Sequence, residues 1–327
     1  PKSISIKDLR LPLTIRIGHF ISIDHLILGI ALPRYIQRKG SDADSDIIPF
    51  TMRSWEQVER GFASGDINAA FMDIAQAMYL FNKGSEISML MFTHRAGSRV
   101  IMAKQIQKLA DLKGKSVLIP HKLSIQHMLV HRLLSAGDLK IAGSGKLEES
   151  VEIESVPFAL MPEMASSDLD GDIAAFICPA PFGDAEVEKK GFRHLILSRD
   201  LWKEHPGSVF VVHQDLLVTK EQDLALMVSC LIYSARELDR YMSSSPETAE
   251  NSIERISASF LGLSAEQIRR ALNTSGITYC PKLLAPDMEI LNIVLDYMRT
   301  TMKVMPIEAD LNGFVRPEFI DTVLSEL

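Results

Sequence analysis

The chain has 327 residues, 46% of them hydrophobic and 24% charged, a composition typical of a soluble globular protein. This length predicts two lobes rather than a single core. The net charge of −7 and the lack of any long Lys/Arg block argue against nucleic acid or a membrane surface as a partner. The three cysteines are far apart, which predicts neither a zinc pattern nor a disulfide framework.

Strand and helix signals alternate through the first hundred residues. The predicted strands are LTIRIGHF, ending at His19 and Phe20, then IIPFTM, DINAAFMD and ISMLMFTHR. The helices predicted between them are SIDHLILGIALPRYIQRKG, SWEQVERGFASG and IAQAMYLFNKG. Ser22 and Ser54 are expected to cap the first two helices. The acidic stretch Asp42–Asp46 lacks the glycine and distal glutamate of a calcium loop and is predicted as a solvated turn.

The same order of elements returns from Lys113 onward. The predicted strands lie in GKSVLIPHK, VEIESVPFALM, DIAAFICP and RHLILSR, and the helices in SIQHMLVHRLLSAG, MPEMASSDLDG and FGDAEVEKKG. Short words recur in register, with IPFTM matching VPFALM and GDINAAF matching GDIAAF. The chain is therefore predicted to contain two similar β-α-β-α-β units.

The pattern changes from Ser208, where one more strand, SVFVVHQDLL, precedes a run of amphipathic helices. We interpret these helices as packing against the first lobe. The predicted fold class is α/β, with two lobes, each a mainly parallel sheet flanked by helices, and extra C-terminal helices. Lobe one is expected to comprise residues 1–100 and 207–327, and lobe two residues 101–206.

Polar residues follow the predicted strands in both units. Ligands collect at the carboxyl ends of parallel strands in folds of this class. The polar residues at those ends are His19, Ser22, Asp73, His94 and Arg95 in the first unit, and His121, Ser124, Gln126 and Cys178 in the second. Two such lobes can face each other across a cleft.

Four strings occur in an order that resembles a known family: LTIRIGHFISIDHLILGIA, SWEQVERGFASGDINAAFM, LADLKGKSVLIP and DLWKEHPGSVFVV. Over nearly its whole length the chain resembles the extracytoplasmic solute-binding proteins of ABC importers. It is most similar to the nitrate, sulfonate and taurine group, which has a type II periplasmic-binding fold. The nitrate and bicarbonate branch carries a Glu-Pro-Trp word where this chain reads CPAPFGDAE, so neither of those two ligands is favoured.

The resemblance implies a binding protein with no catalytic residue, cofactor or metal. It would capture a small anionic or planar polar ligand and close by hinge motion near Arg95–Val100 and Gly207–Phe210. The implied partners are the membrane subunits of an importer, and the protein is expected to be a monomer. The implied location is extracytoplasmic, periplasmic or lipid-anchored. The sequence begins at Pro1 without a visible signal peptide, so we expect any export signal to precede it.

The turn that opens the helix SIQHMLVHRLLSAG is a candidate ligand site. His121, Ser124, Gln126 and His127 lie where free N–H groups of a helix N-terminus would hold an anion. The alternative is that Ser124 only caps its helix. His127 and His131 are one turn apart, but a zinc site needs more ligands, so no metal is predicted.

In the resembled family the corresponding turn of the first lobe touches ligand, which implies that His19 and Ser22 contact it, while Asp24 and His25 could be a solvent-facing capping pair. Trp55 would stack on a planar ligand or remain a core aromatic. Asp73 ends a strand at the same edge. Arg95 is the candidate counter-charge for an anion, unless it forms a surface salt bridge.

Two other classes of function stay open at this stage. An enzyme on the same fold could use Cys178 or a cleft histidine, although a buried inert thiol is the alternative for Cys178. A ligand-sensing domain with this fold is the other possibility, because fold alone does not fix function.

Overall fold

The computed structural model describes residues 14–40, 47–142, 149–189, 191–244 and 252–327. The predicted acidic turn at Asp42–Asp46 lies outside these residues, as does Leu13, the first residue of the first predicted strand.

Two sheets form the framework. The first has the order β2-β1-β3-β11-β4, with β1 at Ile15–His19, β2 at Ile47–Thr51, β3 at Ala69–Asp73, β4 at Ile87–Phe92 and β11 at Ser208–His213. The second has the order β10-β5-β9-β6-β8-β7, with β5 at Ser98–Ala103, β6 at Ser116–Ile119, β7 at Lys140–Ile141, β8 at Ser150–Ser155, β9 at Ile173–Pro179 and β10 at Phe192–Leu197. The prediction of a two-lobed α/β fold is confirmed.

Each sheet is parallel except for one strand. In the first sheet β11 is antiparallel to both neighbours, and in the second sheet β5 is antiparallel to both of its neighbours. These are the strands that the chain enters immediately after each passage between the sheets. Since β5 already begins at Ser98, the first passage precedes the predicted lobe boundary between residues 100 and 101.

Helices cover the sheets. The bounds are α1 Leu26–Lys39, α2 Trp55–Ser64, α3 Ile74–Asn82, α4 Ile125–Ala136, α5 Met161–Ser167, α6 Asp184–Glu188, α7 Ser198–Leu201, α8 Gln214–Thr219, α9 Glu221–Ser243, α10 Ser252–Leu261, α11 Ala265–Thr274, α12 Met288–Thr300 and α13 Glu318–Ser325. The long helix α9 packs against α1, α12 packs against α3, and α13 packs against α9 and β4. These C-terminal helices therefore contact α1 and α3, which connect strands of the first sheet, and β4 of that sheet. No helix in the described part of the chain is long and apolar enough to span a membrane.

Two of the three serines considered as helix caps make a capping hydrogen bond. The hydroxyl oxygens of Ser54 and Ser124 accept hydrogen bonds from the N–H groups of Gln57 and His127. The Ser22 hydroxyl makes no capping bond, because a short 3-10 turn at Ile23–His25 precedes α1. The prediction that Ser22 caps the first helix is therefore wrong.

The two passages between the sheets lie side by side. The N–H of Ala96 donates to the carbonyl oxygen of His205 at 3.0 Å, and the N–H of Arg95 donates to that of Thr278 at 3.0 Å. Gly207 lies where these segments meet β11. A Cβ at this position would lie 2.1 Å from Nε2 of the buried His94, so only glycine allows this approach.

The close approach of the His94 ring leaves no space for a side chain at position 207. We expect Gly207→Ala to lower the free energy of unfolding by about 1–3 kcal/mol, the range for overpacking a filled interior. Gly191→Ala is the control, because its added Cβ would meet no heavy atom within 4 Å. Urea unfolding measures both variants, and equal losses of stability would contradict the close approach of His94.

Candidate functional site

A small cavity of about 10 Å³ lies between the two sheets, enough space for roughly one water molecule. It is formed at the carboxyl ends of the parallel strands, where the loops of the two lobes meet. Its lining residues from lobe one are Phe20, Ser22, Asp24, His25, Trp55, Asp73, His94, Gly207 and Ser208. Those from lobe two are Pro120, Gln126, Phe158 and Pro179. Four of the predicted site residues, Ser22, Trp55, Asp73 and Gln126, are therefore brought together.

Asp73 joins the two lobes. It ends β3, and its Oδ1 accepts a hydrogen bond from the N–H of Ala75 at 2.9 Å, which caps α3. Its Oδ2 accepts from the N–H of Ile125 at 3.0 Å, at the first residue of α4 in the other lobe. The α4 N-terminus, predicted to hold a ligand anion, thus already carries a carboxylate of the protein itself.

A second buried carboxyl group, that of Asp24, lies beside Asp73. Burial, reinforced by the neighbouring Asp73 charge, raises the pKa of Asp24 to about 8. Burial also raises the pKa of Asp73 to about 7, although backbone N–H donors such as that of Ile125 act in the opposite direction. Two carboxyl groups this close in a desolvated site disfavour double ionisation. At least one of them is therefore protonated near neutral pH.

The cavity histidines are neutral. The N–H of Phe20 donates to Nδ1 of His25 at 2.8 Å, so the imidazole proton lies on Nε2, which faces the Ser208 hydroxyl at 3.2 Å. Burial lowers the pKa of His94 to about 3, and burial likewise lowers the pKa of His25 well below its usual value. His94 Nε2 lies 4.0 Å from Asp24 Oδ1, a distance too long for a hydrogen bond.

Aromatic rings form one wall of the cavity. Phe20 lies edge-on to Trp55 with ring centroids 4.4 Å apart, and it contacts Phe158 of the other lobe at 5.3 Å. The indole Nε1 of Trp55 is buried without a hydrogen-bond partner. Trp55 is therefore both a packed aromatic residue and a free hydrogen-bond donor beside the cavity.

Three predicted residues of the second-lobe turn serve other contacts. The Ser124 hydroxyl donates to the carbonyl oxygen of His121 and caps α4, so the capping alternative describes what it does. His121 Nε2 lies 3.6 Å from Glu56 Oε1 of the first lobe. His127 Nε2 lies 3.2 Å from His131 Nε2, and no third metal-ligating side chain joins them among the described residues.

Three further predicted residues do not line the cavity. The Arg95 guanidinium lies over the Phe92 ring at 3.6 Å and donates from Nε to the carbonyl oxygen of Leu283, next to the C-terminal helices. His19 stacks on Phe260 with ring centroids 4.9 Å apart. Cys178 is buried, its Sγ–H donates to the carbonyl oxygen of Phe182 at 3.2 Å, and burial raises its pKa to about 12.

A known family matches most of this chain. Residues 16–257, more than half of the chain, match the NMT1-like family. The chain belongs to the NMT1-like family. No curated protein sequence matches it.

Several solved structures share the fold of this NMT1-like chain. One is a ligand-binding component of an ABC-type import system from Staphylococcus aureus with zinc bound, with 18% identity, a TM-score of 0.78 and coverage of 95% of this chain and 98% of that one. Another is the periplasmic nitrate-binding protein NrtA from Synechocystis PCC 6803, with 17% identity, a TM-score of 0.77 and coverage of 96% and 89%. A third is a mutant of DszB in complex with biphenyl-2-sulfinic acid, with 14% identity, a TM-score of 0.64 and coverage of 97% and 100%. The periplasmic-binding fold inferred from the sequence is confirmed.

Three polar residues of this NMT1-like cleft are absent from the predicted site residues. The sequence allows Asp24 and His25 to be a solvent-facing capping pair, yet both are buried and line the cavity. His94 was recognised only as a polar residue at a strand end. The available signal was position alone, since all three follow β1 or β4 at the edge where parallel strands end.

The raised pKa of Asp24 predicts a specific pH dependence. Between about pH 4 and 8 the folded protein keeps a proton on Asp24 that the unfolded chain releases, so the stability from this group falls as pH rises. The free energy of unfolding of the parent should therefore fall relative to that of Asp24→Asn, by up to about 1.4 kcal/mol per pH unit. Urea unfolding of both proteins at about pH 5, 6 and 7 measures this difference.

The control for this pH series is Asp321→Asn, an exposed carboxylate on α13. The histidine contributions are common to parent and variants and cancel in the difference. A parent-minus-variant difference for Asp24→Asn that is flat or rises with pH would contradict the buried, protonated carboxyl.

Proposed function

We propose that this protein is the solute-binding protein of an ABC importer, which captures a small polar ligand between its two lobes. The observation that carries the proposal is a small cavity lined from both lobes, with three buried polar atoms that lack partners. These atoms are Asp24 Oδ1, Trp55 Nε1 and Gln126 Oε1. Unpaired buried polar atoms cost stability, and a ligand that pairs with them recovers that cost.

Closure is supported by three contacts that join the lobes directly. Asp73 accepts from Ile125 N–H, Glu56 lies against His121, and Phe20 packs on Phe158. With these contacts in place the cavity holds about one water molecule, so an organic ligand enters only when the lobes separate, and the ligand-bound form closes around a wider cavity. The adjacent chain passages near Arg95–Val100 and Gly207–Phe210 are the proposed hinges.

The cellular setting is part of the same proposal. An extracytoplasmic location and membrane subunits of an importer as partners fit a binding protein of this fold. The structural neighbours include a ligand-binding component of an import system and a periplasmic nitrate-binding protein. Membrane subunits would recognise the closed arrangement of the two lobes.

A catalytic role is not favoured by the candidate nucleophile. Cys178 is fully buried, donates its thiol proton to a backbone carbonyl oxygen and has its pKa raised to about 12 by burial. A nucleophilic cysteine needs thiolate character and access to substrate. Cys178 fits the inert buried thiol instead.

The proposed function is tested by the ligand itself. Native mass spectrometry of protein purified without added ligand should reveal a bound small molecule in part of the population. Adding that compound at a hundred times its dissociation constant should stabilise the fold by about 2.7 kcal/mol, measured as a rise in melting temperature. Purified protein without any bound compound, together with no response to a broad panel of small polar solutes, would contradict a solute-binding function.

The contact between Asp73 and Ile125 predicts the effect of one variant on closure. In Asp73→Asn one amide oxygen remains, while the second acceptor becomes an N–H donor that faces the Ile125 N–H. We expect the open form to gain population and the radius of gyration in small-angle X-ray scattering to rise. Asp321→Asn is the control, because Asp321 is an exposed carboxylate on α13. Equal radii for both variants and the parent would contradict a role for Asp73 in closure.

A further inference from the structure

We propose that the cleft takes a small organic cation with N–H donors, an ammonium or amidinium group, held between Asp24 of lobe one and Gln126 of lobe two. This inference rests on the proposed function and names the chemical class of its ligand. The sequence predicted a small polar or anionic ligand, and the cation proposed here departs from the anionic alternative.

Unpaired acceptors face the cavity from both lobes. Asp24 and Gln126 are 7% and 8% exposed, and Asp24 Oδ1 and Gln126 Oε1 have no hydrogen-bond partner. The Gln126 amide is oriented, because its Nε2 donates to the Ser98 hydroxyl at 3.1 Å and leaves Oε1 as the free acceptor. Gln126 Oε1 is an acceptor, and Asp24 Oδ1 becomes one when its carboxyl group is ionised by a cationic ligand, so a cation that donates two hydrogen bonds pairs both atoms.

An anion finds no counter-charge in the same space. None of the described residues that line the cavity is a lysine or arginine. Arg95 lies over Phe92 outside the cavity, and Arg99 is paired with Asp184 at 2.8 Å. The cavity histidines are neutral, and the α4 N-terminus is already occupied by Asp73. An anion would therefore lie beside two carboxyl groups with no cationic side chain among the lining residues.

The aromatic wall is compatible with a cation. Phe20 and Phe158 line the cavity, and the faces of aromatic rings attract ammonium and guanidinium-type groups. The Trp55 indole N–H is buried without a partner, and it would serve an acceptor atom elsewhere on the ligand.

Ion pairing would change the protonation of Asp24. The titratable groups that face it are Asp73 at the end of β3, His94 after β4, His25 in its own turn, Tyr279 and Cys178. None of them is cationic at neutral pH in the closed cleft. A bound cation supplies the missing positive charge and stabilises the carboxylate, so the Asp24 proton passes to solvent as the ligand binds.

The experiment compares matched charged and neutral probes by isothermal titration calorimetry and thermal melting. The probes are methylammonium chloride, acetamidinium chloride and its neutral counterpart acetamide, with sodium nitrate and sodium methanesulfonate as anions. Sodium chloride sets the baseline for ionic strength. We expect at least one cation to bind saturably, acetamide to bind more weakly, and the anions to match the baseline. Titrations are carried out in phosphate and in Tris at about pH 7, which is one unit below the raised pKa of Asp24. The heat of binding should differ between the two buffers, because Asp24 releases a proton that the buffer takes up.

Two variants tie binding to the named acceptors. Asp24→Asn and Gln126→Met should each raise the dissociation constant for the cation by about tenfold or more, the range for hydrogen bonds to charged groups. Circular dichroism confirms that each is folded, and Asp321→Asn should bind like the parent. The buffer-dependent heat should vanish in Asp24→Asn.

The outcomes separate this inference from the proposed function. Binding of nitrate or methanesulfonate instead of the cations, or equal binding of acetamide and acetamidinium, overturns the cationic ligand while a solute-binding protein remains. Cation binding that neither variant weakens also overturns it. Failure of every probe overturns it as well, and a co-purified compound seen by native mass spectrometry would then still support the solute-binding function.

Discussion

The carboxylate of Asp73 is the contact on which the arrangement of the two lobes depends. It ends a strand of one sheet, and its two oxygens accept backbone N–H groups from helices in both lobes. One side chain therefore satisfies N-terminal donors of α3 and α4 that would otherwise be unpaired. The N-terminus of α4, which faces the cleft, therefore already binds a carboxyl group of the protein itself.

That arrangement explains which polar atoms are left for a ligand. Backbone donors at a helix N-terminus are the usual means by which such folds hold an anion. With the α4 terminus occupied, the fully buried atoms without partners among the described lining residues are Asp24 Oδ1, Gln126 Oε1 and Trp55 Nε1. The two oxygen atoms both accept hydrogen bonds once Asp24 is ionised. Natural interiors pair nearly all their buried polar atoms, so three unpaired atoms that face one cavity from both lobes favour a binding site there.

The sequence predicted the order of elements well and the direction of side chains poorly. Alternating strand and helix signals located both sheets, and serine caps located α2 and α4, because these features depend on local residues. The strand β5 was missed, since SRVIMA is a short run buried on both faces and follows the glycine turn at Ala96 and Gly97. Arg95 is adjacent to that turn, and its backbone pairs with Pro206 and Thr278. Those partners are more than a hundred residues away, so no local pattern could show that its guanidinium points away from the cleft.

The closing contacts also limit how strongly the empty protein can favour its closed form. A hydrogen bond such as that between Asp73 and Ile125 contributes about 0.5–1.5 kcal/mol, and the contact of Glu56 with His121, whose pKa is lowered by burial, adds about 1 kcal/mol or less. Together these energies change an open-to-closed ratio by a factor of roughly 2 to 70, which biases the equilibrium without locking it. Only a ligand that contacts both lobes shifts it further. Because the unpaired acceptors of Asp24 and Gln126 lie on opposite lobes, pairing both with one ligand is possible only when the lobes are closed. The same two atoms therefore set the ligand chemistry and couple its binding to closure.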